Sequence, residues 1–172
     1  MNKQEIYDFL KNHKIHFEVT EHPALFSMDD ACDIVFPYPE CDAKNLFVRD
    51  DKKRNYYLIT VKGSKRVDLN DFRLKHNTRR LSFASAEDLK AFLKLTPGSV
   101  TPFGLLNDEK RAVFFFIDEE FKNEPCLMGI HPNDNTATVW INVYDLLEII
   151  KEHGNEFEFA NLKLTGIEPD VV

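Results

Sequence analysis

Three short stretches of this sequence contain residue types that could take part in chemistry. The first is Lys44, a cation at the start of the otherwise apolar and small-residue stretch 43–48. The second is the loop from Gly98 to Pro102, where backbone N–H groups can be left pointing at the carbonyl oxygen of a ligand. The third is the pair His131 and Asn135, which bracket a tight turn at the end of a predicted strand.

Each stretch also has a purely structural explanation. Lys44 fits a solvated lysine at the entry of a strand, and the Gly98 loop fits a helix stop. The polar side chains of His131 and Asn135 fit residues that stabilise a turn. The residues alone leave both interpretations open.

Other familiar chemistries are poorly supported by the sequence. No pair of histidines has the i, i+4 spacing, and no cysteines have the CxxC spacing, that would give a metal ion two ligands from one element. Phosphate-binding Walker and GxGxxG patterns are absent, and Ser99 lies outside any GxSxG motif. We therefore predict neither a metal site nor a cofactor.

The composition limits the class of protein. A net charge of −7 argues against nonspecific coating of DNA or RNA, because such binding needs many cations. Three cysteines without CxxC spacing predict reduced thiols, and no signal peptide or long apolar run is present. These features predict a cytoplasmic protein that does not span a membrane.

The hydrophobic periodicity predicts one α+β domain, residues 1–172, with a mixed sheet. Central to it is a hairpin whose strands are 41–50 and 56–61. Further strands are predicted at 16–22, 81–84, 112–117, 127–131, 136–141 and 156–160, and helices at 3–12, from Ser27 through Ala31 and Ile34, at 68–76, at 85–95 and at 142–153.

Four motifs, in this order, resemble the YbaK/prolyl-tRNA synthetase-associated family of aminoacyl-tRNA deacylases. They are Glu21-His22-Pro23-Ala24, the stretch AKNLFVRD at 43–50, the stretch LTPGSVTPFGL at 95–105, and His131-Pro132 followed by NTATV at 135–139. The resemblance extends from about Gln4 to Phe159. It implies a mostly antiparallel, barrel-like sheet flanked by helices, and the KNLF form is similar to the free-standing alanyl-tRNA(Pro) deacylase branch.

The resemblance also implies roles for particular residues. Lys44 matches the essential lysine of the family, and Gly98 and Pro102 match its GxxxP loop, so these three are expected to be the catalytic residues. The expected lining of the substrate pocket consists of Leu25, Ala31, Ile34, Asn45, Ser99, Val100, Thr101, His131 and Asn135.

The implied reaction is hydrolysis of the ester that joins a wrong amino acid to the terminal adenosine of tRNA(Pro). Such an ester needs no metal if water is positioned and the developing oxyanion is stabilised. An ordinary lysine, with a pKa of about 10.4, is a poor base at neutral pH, so Lys44 is expected to hold the substrate. The family also implies assistance from the vicinal hydroxyl of the substrate, and prolyl-tRNA synthetase as a partner.

Positive charge is concentrated in one span of this acidic chain. These cations are the candidates for contact with tRNA phosphates, although a solvated face would explain the same run. The span contains Lys62, Lys65, Arg66, Arg73, Lys75, Arg79 and Arg80.

Two alternative functions stay open at this point. The protein could deacylate tRNA charged with cysteine, serine or threonine, or it could bind aminoacyl-tRNA without turnover. The Pro-rich approach to Lys44, Phe36 to Glu40, departs from the glycine or small polar residues usual in the family. We expect it to reshape the rim of the pocket.

Overall fold

The computed structural model describes residues 1–24, 34–63 and 65–162. Its α-helices are α1 (Lys3–Asn12), α2 (Leu69–Lys75), α3 (Ala86–Leu93) and α4 (Val143–His153). Its strands are β1 (Phe17–Glu21), β2 (Ala43–Asp50), β3 (Tyr56–Lys62), β4 (Leu81–Phe83), β5 (Val113–Asp118), β6 (Leu127–Ile130), β7 (Ala137–Asn142) and β8 (Phe157–Ala160).

The strands form two sheets. The smaller has the order β1-β7-β6 and is antiparallel throughout. The larger has the order β4-β2-β3-β5-β8, and in it β3–β5 and β5–β8 are parallel pairs whereas β2 is antiparallel to both of its neighbours. An isolated parallel bridge between Asp42 and Gly129 links the two sheets. The predicted α+β class with a mixed sheet and flanking helices is confirmed.

Local capping explains where the helices begin and end. Ser85 and Asp88 form a reciprocal capping box at the start of α3, as the sequence predicted. Asn142 accepts a hydrogen bond from the first turn of α4, and Gly154 ends that helix with a left-handed φ of 103°. Asp68 caps α2 in the same manner.

Apolar side chains pack on both faces of the larger sheet. The main core joins Phe47, Leu58 and Phe115 of that sheet to α1, to α4 and to the smaller sheet. A second core on the opposite face includes Val48 and lies beneath Phe72 of α2. Both faces of the larger sheet are therefore covered, which fixes the direction of side chains along β2.

In the described part of the chain, the structure adds three short 3₁₀ helices to the predicted elements, at Pro39–Cys41, Pro102–Asn107 and Glu119–Lys122. The second replaces part of a predicted loop, because buried Phe103 and Leu105 pull that segment into the core. The helix predicted from Ser27 through Ala31 falls outside the described residues, and Ile34 lies in irregular chain. Within the three described segments, no helix is long and apolar enough to cross a membrane.

Candidate active site

Lys44 is the second residue of β2 and pairs with Val61 of β3. Its side chain is exposed, and among the described residues it has no hydrogen-bond or ion-pair partner. Side chains alternate along a strand, so the side chain of Lys44 projects to the same side of β2 as that of Leu46. Asp42 directly precedes β2 and has an extended backbone, so its side chain lies on this side too. An unpaired ammonium group is thus presented at the entry of the central hairpin.

Asn45 points to the opposite side of β2 from Lys44. Its Oδ1 accepts a hydrogen bond of 2.6 Å from the hydroxyl of Thr60, the residue directly across the hairpin. The structure therefore does not bring the Asn45 side chain to Lys44, although the sequence placed both in one pocket.

Asp42 is a half-buried carboxylate where the two sheets meet. Its carbonyl oxygen accepts from the N–H of Gly63 at 2.9 Å, and a Cβ on Gly63 would lie 2.9 Å from Oδ2. No cation of the described residues lies within ion-pair distance of this carboxylate. Burial raises the pKa of Asp42 from 3.8 to about 6, opposed by the backbone N–H of Ala43 and by nearby His22.

His22 lies close enough to Asp42 to act on its charge, and the ring centroids of His22 and His131 are 6.0 Å apart. Nδ1 of His131 is 2.9 Å from the carbonyl of Ala137, so this nitrogen carries the proton and Nε2 is left as an acceptor. Burial lowers the pKa of His131, and His22 adds to this effect. The ring is neutral at pH 7 and presents a lone pair.

His22 is held by two hydrogen bonds and is only 8% exposed. Nδ1 donates to the carbonyl of Pro23 at 2.8 Å, and Nε2 lies 3.0 Å from the Thr138 hydroxyl. Both ring nitrogens of His22 are therefore engaged, so its role at the site is to pack and orient the surrounding groups.

The Pro-rich approach to Lys44 packs on the smaller sheet. Phe36 contacts both His22 and Trp140 edge-on, with centroids 5.9 and 5.7 Å apart. Tyr38 contacts Trp140 in the same way, and its hydroxyl donates to Glu18 at 3.0 Å. This segment forms an aromatic wall next to the histidines and fixes the position of Asp42.

The predicted GxxxP loop is held at its two ends. Leu95 is buried before it, and Phe103 is buried after it. Gly104 is packed so closely that an added Cβ would lie 2.7 Å from Leu95 Cδ1. Ser99 closes a turn, because its hydroxyl donates to the carbonyl of Thr96 at 2.8 Å. The loop therefore has a defined shape.

Several polar groups of this loop have no hydrogen-bond partner among the described residues. The backbone N–H groups of Gly98, Val100 and Thr101 donate to no other described residue. Gly98 has a φ of 88°, in the left-handed region that favours glycine. The Thr101 hydroxyl is fully buried and has no hydrogen-bond partner among the described residues. Such groups can receive an anionic or carbonyl oxygen.

The remaining predicted pocket residues are distributed as follows. Asn135 is half-buried in the turn between β6 and β7, four residues after His131. Ile34 is half-buried in the chain that precedes the aromatic wall. Leu25 and Ala31 lie outside the described residues.

The cations that are predicted to contact tRNA differ in how exposed they are and in whether an acidic side chain already neutralises them. Lys65 is 7% exposed, and its ammonium lies 2.7 Å from both Asp118 and Glu120, so the fold accounts for its charge. Arg79 forms a bidentate pair with Asp51, at 2.6 and 2.9 Å. Arg66 and Arg80 are exposed.

The other three cations of the span have varied surroundings. Lys75 pairs with Asp71 at 2.6 Å, and Lys62 donates to the carbonyl of Glu40 at 3.3 Å. Arg73 is half-buried, and within the described chain its Nε has no hydrogen-bond partner.

The described residues contain no group of three His, Cys, Asp or Glu side chains that could hold a metal ion. A surface cleft lined by Phe92, Lys94, Asn107 and Lys110 contains none of the predicted site residues. The chemistry available at the hairpin entry is instead a free ammonium, a half-buried carboxylate and a neutral imidazole. These groups suit binding of a polar, charged ligand such as an aminoacyl ester.

Comparison with known proteins places the chain in a class. A family model described as "Aminoacyl-tRNA editing domain" matches residues 22–149. A solved structure described as a candidate trans-editing enzyme for prolyl-tRNA synthetase superposes with a TM-score of 0.72 at 21% identity, covering 95% of this chain and 97% of that one. The family model defines an aminoacyl-tRNA editing domain, and the superposition shows that the chain shares the fold of that structure.

Two sequence relatives agree with this family model. The prolyl-tRNA editing protein ProX of Acetoanaerobium sticklandii is 37% identical over 160 residues, which cover 93% of this chain and 97% of the relative. Prolyl-tRNA synthetase associated domain-containing protein 1 of Mus musculus is 30% identical over 144 residues, covering 83% and 85%. The chain belongs to the aminoacyl-tRNA editing domain family, and the predicted resemblance is confirmed.

Sequence reasoning missed two residues of this cluster, His22 and Asp42. His22 lies within the first of the four family motifs, at the end of the predicted strand 16–22 and directly before Pro23. The signal for Asp42 was its position two residues before Lys44, which alternation along an extended chain places on the same side.

The raised pKa of Asp42 predicts a stability gain on neutralisation. Asp42→Asn should raise the free energy of unfolding by about 1 to 3 kcal/mol at pH 7.5, because an ionised carboxylate with a pKa above its unfolded value disfavours folding. This cost is fully present above about pH 6 and disappears as the pH falls towards 3.8.

Urea unfolding of wild type and variant between pH 4 and 7.5 measures this difference. The exposed neighbour Glu40 provides the control variant, Glu40→Gln, which should show no comparable gain. A loss of stability in Asp42→Asn, or a gain independent of pH, would contradict the assignment.

Proposed function

We propose that this protein is a trans-editing deacylase that hydrolyses the ester of mischarged Ala-tRNA(Pro). The observation that carries the proposal is the combination of a Lys44 ammonium without an ion-pair partner and a GxxxP loop whose N–H groups at Gly98, Val100 and Thr101 have no acceptor among the described residues. Three such donors in one anchored loop, next to the buried hydroxyl of Thr101, which likewise has no partner in the described chain, suit an incoming oxygen.

Lys44 holds the substrate and does not act as the nucleophile. It is exposed, and no side chain of the described residues accepts a hydrogen bond from its ammonium group, so its positive charge is its useful property. The terminal nucleotide of a tRNA offers a phosphate, a ribose and the ester carbonyl to such a charge. Lys44 fixes the ester through one of these groups.

The loop from Gly98 to Pro102 stabilises the oxyanion. Backbone N–H groups in a fixed loop need no reorganisation as negative charge develops on the ester oxygen. Removal of one such donor typically costs about 100- to 1,000-fold in rate. The neutral ring of His131 offers Nε2 to the attacking water or to the vicinal ribose hydroxyl, which assists as the family resemblance implies.

The preference for alanine rests on the size of the pocket. Leu25, Ala31 and Ile34 are proposed to line its amino acid end and to exclude larger side chains. The aromatic wall of Phe36 and Tyr38 next to His22 supports this rim. The printed names of the two relatives, both of which refer to prolyl-tRNA, support tRNA(Pro) as the carrier and prolyl-tRNA synthetase as a partner.

The tRNA backbone is proposed to lie along the exposed cations of the 62–80 span. Arg80 is proposed as the principal contact because its side chain is exposed and forms no ion pair with the described residues. Lys62, Arg66, Arg73, Lys75 and Arg79 contribute alongside it. Lys65 is left out of this surface because its charge is buried against Asp118 and Glu120.

Deacylation of purified Ala-tRNA(Pro) tests the function directly. Wild-type protein should release alanine much faster than the uncatalysed reaction, and Lys44→Ala should lower kcat/KM by at least about 100-fold with the fold unchanged. Activity equal to wild type in Lys44→Ala would remove the lysine from the mechanism. Binding of intact Ala-tRNA(Pro) without turnover would favour the non-catalytic alternative.

The same assay decides between amino acids. Parallel reactions with tRNA charged with cysteine, serine and threonine should proceed more slowly than with alanine. A faster reaction with any of these three would replace alanine as the proposed substrate.

Replacing the buried Lys65 and replacing the exposed Arg80 should have opposite effects on protein stability and on tRNA binding. Lys65→Ala should destabilise the protein by about 3 to 5 kcal/mol, because it leaves the buried Asp118 carboxylate unpaired. Arg80→Ala should leave stability unchanged, raise KM for the tRNA, and reduce the slope of log KM against log salt concentration by about one. Urea unfolding and deacylation rates at several salt concentrations measure both. A stable Lys65→Ala variant with weakened tRNA binding would reverse the assignment.

A further inference from the structure

The fold does not explain the carboxylate of Asp42. Its backbone joins the two sheets through Gly129 and Gly63, but no side chain of the described residues donates a hydrogen bond to its carboxylate. Asp50, at the other end of β2, shows the contrast. Its carboxylate accepts from Lys52 and Arg54 N–H groups and from Asn55, and so closes the hairpin turn.

The position of Asp42 is defined relative to Lys44. The two residues are separated by one residue of extended chain and lie on one side of it, so their Cα atoms are roughly 6 to 7 Å apart. His22 is the nearest cationic candidate, but both of its ring nitrogens already have partners, Pro23 and Thr138. The carboxylate is therefore available to a ligand bound by Lys44.

An aminoacyl ester carries a positive charge one carbon away from its carbonyl. An α-amino group has a pKa of about 7.7 to 8.0 and is mostly protonated at neutral pH. A ligand held through its ester or ribose by Lys44 would present this ammonium within a few ångströms. Asp42 is the anionic side chain next to Lys44 on that side of the strand.

We propose that Asp42 is the specificity-determining residue that binds the protonated α-amino group of the aminoacyl ester. This inference rests on the proposed function for the identity of the ligand. It deepens that function by naming a second group of the amino acid, the α-amino group, that the protein recognises in addition to the amino acid side chain. An ester with a neutral α-substituent would leave the carboxylate unpaired and would be rejected.

The half-burial of Asp42 and the raised pKa of its carboxyl fit this role. A poorly solvated carboxylate that, among the described residues, accepts only from the backbone N–H of Ala43 and has no ion-pair partner destabilises the free protein, and functional sites commonly keep such destabilising groups. The ammonium group of the ligand supplies the opposite charge, so its binding stabilises the ionised form of the Asp42 carboxylate.

The test compares two tRNA(Pro) esters that differ only at the α-position. L-Alanyl-tRNA(Pro) has an ammonium there, whereas L-lactyl-tRNA(Pro) has a hydroxyl of nearly the same size. Wild-type kcat/KM should be about 10- to 100-fold higher for the alanyl ester, the range expected for a hydrogen bond to a charged group. Asp42→Asn should lower the rate for the alanyl ester and leave that for the lactyl ester nearly unchanged.

Glu40→Gln is the matched control, because it removes an exposed carboxylate two residues away and should keep the wild-type preference. An undiminished preference for the alanyl ester in Asp42→Asn, or equal rates for the two esters in wild type, would overturn the proposal. Binding by calorimetry of 3′-deoxy-3′-alanylamino-adenosine and its lactylamino counterpart gives the same comparison without turnover. If wild type hydrolyses neither ester, the proposed function fails, and the calorimetric preference still decides the role of Asp42.

Discussion

The pairing of Asp42 with Gly129 is the contact on which the arrangement of the site depends. It joins the larger sheet to the smaller one between β6 and the residue that precedes β2. Gly129 is required there because the ring of Trp140 packs directly against its Cα. His131 lies two residues after Gly129 and Lys44 lies two residues after Asp42, so this junction fixes the backbone from which both side chains start.

The site is distinguished by polar groups that the protein leaves unpaired. Lys44 has no anion, Asp42 has no cation, and the Gly98 loop has N–H donors without acceptors among the described residues. The Lys65–Asp118 ion pair shows the contrast, because there a buried cation and anion neutralise each other. Unpaired groups held on anchored backbone can stabilise charge in a transition state without first breaking an internal bond. This favours catalysis by positioning and electrostatics over a covalent mechanism.

Much of the fold could be predicted from the sequence because local signals agreed with the tertiary structure. The capping box at Ser85 predicted the start of α3 to within a residue, and the asparagine and glycine that bound α4 predicted both of its ends to within a residue. The 3₁₀ helix that begins at Pro102 was not predicted, because burial of Phe103, rather than local propensity, determines it. The approach of His22 to Asp42 depends on a contact between sheets that no local pattern encodes.

The central claim is that one pocket brings Lys44 and the Gly98 loop to the same aminoacyl ester. A crystal structure of the protein with the non-hydrolysable analogue 3′-deoxy-3′-alanylamino-adenosine tests it most directly. We predict that the Lys44 ammonium contacts the ribose or the carbonyl of the analogue, and that an N–H of the loop donates to the same carbonyl oxygen. An analogue bound elsewhere, or bound with its carbonyl away from both groups, would contradict the account.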